Sequence, residues 1–575
     1  MSKKIIHNKS NKKIKYDKNN FYDIFWKILI SKKIDRVFGL PGGPIDNLLS
    51  AKPEEILCTN AGNELQNGFM SQIYGQYTNN VGYLFVTTGP GIATAISALE
   101  QAIYEGNPLI IVSSVNSKDN VGDFQSWDIK NISKHLTKHF FYIKNEKNMV
   151  NIIHKSYEIA KNYNTGVILL FEDNIFTNQT YKIPKNINLK QHTIIYNKNK
   201  KVNEIKLINV LEKLNYKNTL LVIGKLKPND YTSLIAFIKI NNIPFVTTWK
   251  GRFFINDDVN NCGRLGSLGK HSANYAIYHA THLLILGNVS GLLTNTSYKN
   301  KFSVIFTDRK KIISLCYNKD HALQSGNTYE INNLSLILKD LHINVHNSWR
   351  LQLTKANSIL NIDLPYISQL EKFSYMAAKV YKNNKLTLPV TTGVGNHWYA
   401  IGKYMDIEQP NSFESATQWA SIGIGISNGI AIHYATNKPI WIFEGDGGSL
   451  FSSIDLLYLL NNPHLPITTT IYINHIYGAI SEDYEKKSNK FNEVIQLPNI
   501  PILKILPNCH IFDDPDKYFN YLNHNFYYDK IRFIIILLPN KPISNNVYEI
   551  NIDSEYEHNI KNDMFNNILN TKMIL

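Results

Sequence analysis

The chain has 575 residues, is 43% hydrophobic and 19% charged, and sets Lys+Arg 61 against Asp+Glu 46, a formal +15. At about 150 residues per domain this is room for three or four domains, and the composition excludes disorder over most of the length. No run reaches the ~18–20 apolar residues of a membrane span, and the lysines are scattered rather than gathered into a stripe, so neither a membrane nor a nucleic acid is the expected partner.

Residues 1–19 read as a basic tail without the apolar stretch of a secretory signal. From residue 20 onward, short β-branched runs alternate with helix-length segments, the pattern of parallel sheets covered by helices. The expected fold class is α/β, with three doubly wound parallel-sheet domains. Block one (20–182) has strand-like runs at 36–39 (RVFG), 83–87 (YLFVT), 109–113 (LIIVS) and 167–171 (VILLF), with helical patterns at 64–77 and 92–104. Block two (195–345) has runs at 219–223, 245–248, 282–286 and 303–307. Block three (368–545) has runs at 389–392, 440–444, 469–473 and 531–537. Polar linkers at 181–198 and 347–370 separate the blocks, and 546–575 reads as a tail. Blocks one and three share size and pattern, which hints at a duplicated architecture. Cys58, Cys262, Cys316 and Cys509 show no CxxC or Cys/His spacing, so no zinc site or disulfide framework is expected, and a reducing, cytoplasmic setting fits.

Two segments carry candidate chemistry. Gly62-Asn63-Glu64-Leu65 opens the helix at 64–77; by itself, a Glu in a first turn is accounted for by the helix dipole. In block three an apolar strand ends in Gly445-Asp446-Gly447, Gly448 and Ser449 lead into a helix expected over 449–460, and a second strand ends at Asn474. If those strands are parallel neighbours, Asp446 and Asn474 stand at the carboxyl ends, where open α/β sheets bind ligands. A carboxylate and an amide oxygen suit octahedral Mg²⁺ completed by a backbone carbonyl and phosphate oxygens, and the helix N-terminus after Gly447 favours phosphate. GIGISNG at 423–429 has the wrong spacing for a dinucleotide fingerprint and no strand leading into it.

With these residues the chain resembles the thiamine-diphosphate enzymes, whose metal motif is Gly-Asp-Gly followed by a later Asn. Thr392-Gly393-Val394-Gly395-Asn396-His397 is similar to the family's diphosphate-holding strand end, Ala420-Ser421-Ile422-Gly423 to the segment beneath the cofactor, and Gly62-Asn63-Glu64-Leu65 to the segment with the required acid. The resemblance implies thiamine diphosphate and Mg²⁺ as cofactors, with Asp446, Asn474 and the carbonyl of Ile476 on the metal. It places Val394, Gly395, Asn396, His397, Gly445, Gly447, Gly448 and Ser449 around the cofactor. It also puts the Ala420 carbonyl and Ile422 amide on the pyrimidine and Glu64 as the catalytic acid.

The likeness spans about 20–545 and is nearest the acetolactate synthase large-subunit group, on FGLPGG (38–43), TTGPG (87–91), Asp123-Phe124-Gln125, Thr137-Lys138-His139 and GSLGKHSANY (266–275). It implies Phe124 and Gln125 at the substrate pocket. The implied enzyme is a carboligase that decarboxylates a 2-oxo acid such as pyruvate and adds the product to a second carbonyl; a decarboxylase or lyase releasing aldehyde is the alternative. A homodimer or homotetramer follows, with Glu64 from one subunit and the metal site from the other. Two departures stand out. GNVSGL (287–292) replaces the Arg/Asp-rich segment that serves FAD, leaving FAD open, and Asp483 replaces an acceptor-pocket Trp.

Overall fold

A computed structural model describes residues 21–43, 45–115, 124–144, 148–172, 204–212, 217–253, 258–266, 268–289, 311–322, 326–360, 368–481, 495–498, 505–526 and 529–539. The tails, the first linker, the run at 303–307, Asp123 and Asp483 lie outside these residues.

The strands form three six-stranded sheets, and every pairing between strands is parallel. In the first, β1 (Arg36–Gly39), β2 (Leu57–Thr59), β3 (Gly82–Phe85), β4 (Leu109–Val115), β5 (Phe140–Ile143) and β6 (Gly166–Glu172) take the order β2-β1-β3-β4-β6-β5. In the second, β7 (Thr219–Ile223), β8 (Phe245–Thr247), β9 (Asn261–Arg264), β10 (His282–Leu286), β11 (Lys311–Cys316) and β12 (Asn327–Glu330) take the order β12-β11-β10-β7-β8-β9. In the third, β13 (Val390–Thr392), β14 (Phe413–Glu414), β15 (Ile440–Gly445), β16 (Ile467–Ile473), β17 (Cys509–Phe512) and β18 (Arg532–Leu537) take the order β14-β13-β15-β16-β18-β17. Counted from its own first strand, the third sheet repeats the order of the first, so the hint of duplication is realised in topology. The second has the order of dinucleotide-binding sheets. The inner strands β4, β6 and β16 are buried at every position, as strands covered on both faces must be.

Helix α1 (Glu64–Tyr77) follows β2 and α2 (Pro90–Glu105) follows β3. Asn63 caps α1, its side chain accepting from Gln66 N at 2.7 Å. The stretch expected as a polar linker instead holds α3 (Asn347–Leu360), whose Trp349, Leu353, Ala356 and Leu360 form an apolar stripe against the central core. In block three, α4 (Asn396–Tyr404) follows β13 and α5 (Ile424–Thr436) follows β14. The helix expected over 449–460 begins at Asp446 and breaks at Ser452, giving α6 (Asp446–Phe451) and α7 (Ser453–Asn461).

Helices α1 and α5 occupy matching places in the first and third sheets and pack on each other, so the two sheets share one core. Helix α5 is apolar nearly all round, as a sandwiched helix must be. Helix α1 is buried from Gln66 to Tyr77 despite carrying Gln66, Asn67, Ser71, Gln72 and Gln76. Among the described residues no helix is long and apolar enough to cross a membrane, and all four cysteines are free.

A polar pin crosses the α1–α5 contact. Ser427 Oγ lies within hydrogen-bond distance of Gln66 Oε1 and of Asp455 Oδ2, the latter at 2.6 Å. One hydroxyl proton serves one of these acceptors; if Ser427 donates to Gln66, a protonated Asp455 supplies the second bond. Burial pushes the Asp455 carboxyl up to about 8, the Ser427 bond opposing and Glu444 adding to the rise. An acid protonated in the fold but ionised in the unfolded chain lowers stability progressively from the ordinary Asp range up to about pH 8, above which the loss levels off. Asp455→Asn should therefore match the native chain near pH 4 and exceed it increasingly toward pH 8, by at most about 1.4 kcal/mol per pH unit. Urea titrations across that range check it; a stability difference that stays flat with pH would contradict the assignment.

Candidate active site

The carboxyl ends of β13, β15 and β16 open into a cleft of about 810 Å³, counted out to solvent. Parallel pairing sets Gly445 opposite Tyr472, so Asp446 and Asn474 emerge just beyond the last bonded rungs. The chain needs two helices and a return strand between them, which is the physical content of their spacing. Of the block-three residues singled out by sequence, Val394, Gly395, Asn396, His397, Ile422, Gly445, Asp446, Gly447, Gly448, Asn474 and Ile476 line this cleft. Ser449 is buried within α6, and Ala420 lies two residues before Ile422 with φ +54. Leu370, Tyr472, Tyr477, Ala479, Ile480 and Leu538 also line it; no motif announced them, because they reach the cleft from separate helices, strands and turns.

The Asp446 carboxylate is held by backbone. Oδ1 accepts from Gly447 N at 2.9 Å, and Oδ2 accepts from Asn474 N at 2.9 Å and His475 N at 2.6 Å. Burial pushes its pKa up, partly offset by these three N–H groups. A carboxylate has about four acceptor sites, so one remains. Asn474 Oδ1 accepts from Ile476 N at 3.3 Å, and the Ile476 carbonyl from Gly478 N at 2.8 Å; each oxygen keeps a second lone pair. This is a set of hard oxygens with a single charge, too few to enclose a cation alone and suited to a hydrated Mg²⁺ shared with phosphate. Beside it, the buried Ser449 hydroxyl makes no hydrogen bond among the described residues, and Gly395 sits at φ +149. An unbonded hydroxyl beside a glycine-bordered cleft fits a phosphate-bearing ligand.

Glu444 lies fully buried beneath this cradle. It accepts from Gly425 N at 3.2 Å and Gly445 N at 3.1 Å, with His397 Nε2 3.5 Å away. A Cβ built on Gly393 would stand 1.8 Å from Glu444 Oε1, and one on Gly448 2.0 Å from the same atom.

The block-one residues gather elsewhere. Glu64 is half-buried at the start of α1, and a Cβ on Gly91 would come within 3.2 Å of its Oε1. Gln125, at φ +57, accepts from Thr87 Oγ1 at 3.3 Å, and Phe124 is 85% exposed. Among the described residues, none lining the cleft precedes Leu370. In the central sheet, the crevice between β7 and β10 is closed by Lys225–Asn288 backbone pairing at 2.8 and 3.0 Å. Glycines there pack backbone on backbone: a Cβ on Gly224 would meet Asn288 O at 2.3 Å.

Residues 19–139 match the family described as thiamine pyrophosphate enzyme, N-terminal TPP binding domain, and residues 393–511 the corresponding C-terminal TPP binding domain. Among curated proteins, the acetolactate synthase large subunit of Buchnera aphidicola (subspecies Acyrthosiphon pisum) is 24% identical over 79% of this chain and 82% of its own length. The chloroplastic acetolactate synthase of Arabidopsis thaliana is 22% identical over 85% and 75%. The mitochondrial acetolactate synthase of Schizosaccharomyces pombe is 24% identical over 81% and 75%.

Gly393→Ala has no room unless Glu444 moves, so it should cost roughly 1–3 kcal/mol in chemical denaturation. Unchanged stability would mean the strand end yields instead.

Proposed function

We propose that this chain, a member of the thiamine pyrophosphate enzyme superfamily distantly related to acetolactate synthase large subunits, is a carboligase that uses thiamine diphosphate and Mg²⁺ to act on 2-oxo acids. The observation that supports it most is the oxygen set of Asp446, Asn474 and Ile476 at the ends of adjacent parallel strands, beside a glycine-bordered cleft and the unbonded Ser449 hydroxyl.

In this reading Asp446, Asn474 Oδ1 and the Ile476 carbonyl hold Mg²⁺. Gly395, Asn396, His397 and the N-terminus of α6 with Ser449 take phosphate oxygens. The Ala420 carbonyl and Ile422 amide take the aminopyrimidine, with the Ile422 side chain beneath it. Bound thiamine diphosphate supplies the electron sink for loss of carbon dioxide from the oxo acid and transfer of the remaining unit to a second carbonyl. Glu64 holds and returns a proton at a pyrimidine nitrogen, its carboxyl steered by the first turn of α1 and the missing side chain at Gly91. Decarboxylation and carbon–carbon bond formation balance without an external oxidant, so no flavin step is required.

Glu64 serves the cleft of a second copy. The exposed apolar side chain Ile480, which lines the cleft, and Phe124, next in sequence to Gln125, support such a cover. A homodimer, or a tetramer of such dimers, follows from this reading.

Glu64→Gln should retain the cofactor and lose about 10²–10⁴-fold in turnover. Chelation with EDTA should abolish activity, and added Mg²⁺ should restore it. With pyruvate alone the expected product is acetolactate; acetaldehyde instead would identify a decarboxylase. Pyruvate consumption indifferent to thiamine diphosphate, or a Glu64→Gln protein with native turnover, would overturn the proposal.

A further inference from the structure

All three blocks meet at one buried carboxylate outside the cleft. Glu105, the last residue of α2, lies beneath residues 417–419. Its Oε1 accepts from the backbone N–H of Thr417 at 2.6 Å, Gln418 at 2.6 Å and Trp419 at 3.4 Å, and its Oε2 from Thr417 Oγ1 at 3.1 Å. From the central block, Lys250 Nζ bridges Glu105 Oε2 and Glu414 Oε1, each at 2.8 Å. Glu414 ends β14, just before the turn, and its Oε2 accepts from Gln76 Nε2 of α1 at 3.3 Å. Lys225 Nζ also faces this junction, donating to the Glu105 carbonyl at 3.1 Å and to Asn107 Oδ1. The Glu105 and Lys250 side chains are 1% and 7% exposed. Burial would raise the Glu105 pKa, but Lys250 and the N–H groups of Gln418 and Thr417 outweigh it and hold the carboxyl below its usual range.

The turn so held runs straight into Ala420, whose φ of +54 is unfavourable for a residue with a side chain, and into Ile422. Such a conformation persists when its surroundings over-determine it. Three consecutive N–H groups on one carboxylate oxygen do that, and Ser421 N adds a bond to Gln101 Oε1 of α2 at 3.3 Å. Stability alone is a weak reason for a buried ion pair, since apolar replacements are often as stable; a fixed turn is a specific one.

We infer that Glu105, anchored by Lys250, is a positioning residue for the cofactor-facing turn. It sets the Ala420 carbonyl and Ile422 amide toward the aminopyrimidine, so that the central block governs cofactor affinity without lining the cleft. This rests on the thiamine-diphosphate reading above.

Thiamine diphosphate is titrated into the full chain with saturating Mg²⁺ by calorimetry, and amide hydrogen exchange is followed over 415–423 in the cofactor-free protein. Glu105→Gln should weaken binding about tenfold or more, the scale of charge-assisted hydrogen bonds, and speed exchange at 417–422. Lys250→Met should do the same, whereas Lys250→Arg, which keeps the charge, should stay within about threefold of the native affinity. Native affinity with native protection in Glu105→Gln overturns the inference. If that variant does not fold, equal affinities for Lys250→Met and Lys250→Arg overturn it. If the native chain itself fails to bind thiamine diphosphate, the functional reading falls. In that case, unchanged exchange at 417–422 in the Glu105 variant removes the clamp as well.

Discussion

The contact between α1 and α5 is the constraint on which the molecule depends. Each helix follows the second strand of a sheet, and the two sheets share one strand order. Packing matching helices face to face fuses the sheets through one core and imposes a reciprocal arrangement on the loops. The loop before α1 rests on α7, where Gly62 lies against Ile454. The loop before α5 rests on α2, where Ser421 bonds to Gln101. Close-packed interiors transmit displacement rather than absorb it, so each site-bearing loop is held by the helix of the opposite block.

That arrangement requires polar groups in a dry interface, where an unpaired one is costly. The chain meets this with groups bonded on several sides. Gln66, Ser427 and Asp455 form a proton-sharing pin at the centre of the contact. Glu105, Lys250 and Glu414 form a charged junction at its edge, and Asp446 is gripped by three backbone N–H groups. In each case several elements determine one side-chain position, which is how catalytic geometry is kept within a fraction of an ångström.

Most inner strands are legible because two-sided burial writes them as unbroken apolar runs; 36–39, 219–223 and 282–286 match their strands end for end, while the inner strand β11 (Lys311–Cys316) is not among the expected runs. The six edge strands, β2, β5, β9, β12, β14 and β17, went unnamed. Several, such as β12 and β17, are half-exposed and carry a diluted apolar signal. The stretch of α3 reads as a linker in sequence because its apolar stripe is separated by polar residues. The site followed the same rule. Gly445-Asp446-Gly447 and Asn474 were visible as residues at strand ends, while Tyr472, Tyr477 and Glu444 were not, since nothing local distinguishes a lining tyrosine or a glutamate beneath a cradle from a core residue.

By itself the sequence determined the α/β class, the parallel alternation, the resemblance to thiamine-diphosphate enzymes, the oxygen donors Asp446 and Asn474, and Glu64 at the head of its helix. These are properties of short segments, and periodicity and spacing carry them along the chain. Only the tertiary structure decided that Asp446 and Asn474 line one cleft and that Glu64 is not among its lining residues. It also decided that Glu105 reaches across 312 positions to hold Thr417, with Lys250 between the blocks. Such pairings arise from how whole sheets dock, and no local pattern encodes a partner hundreds of residues away.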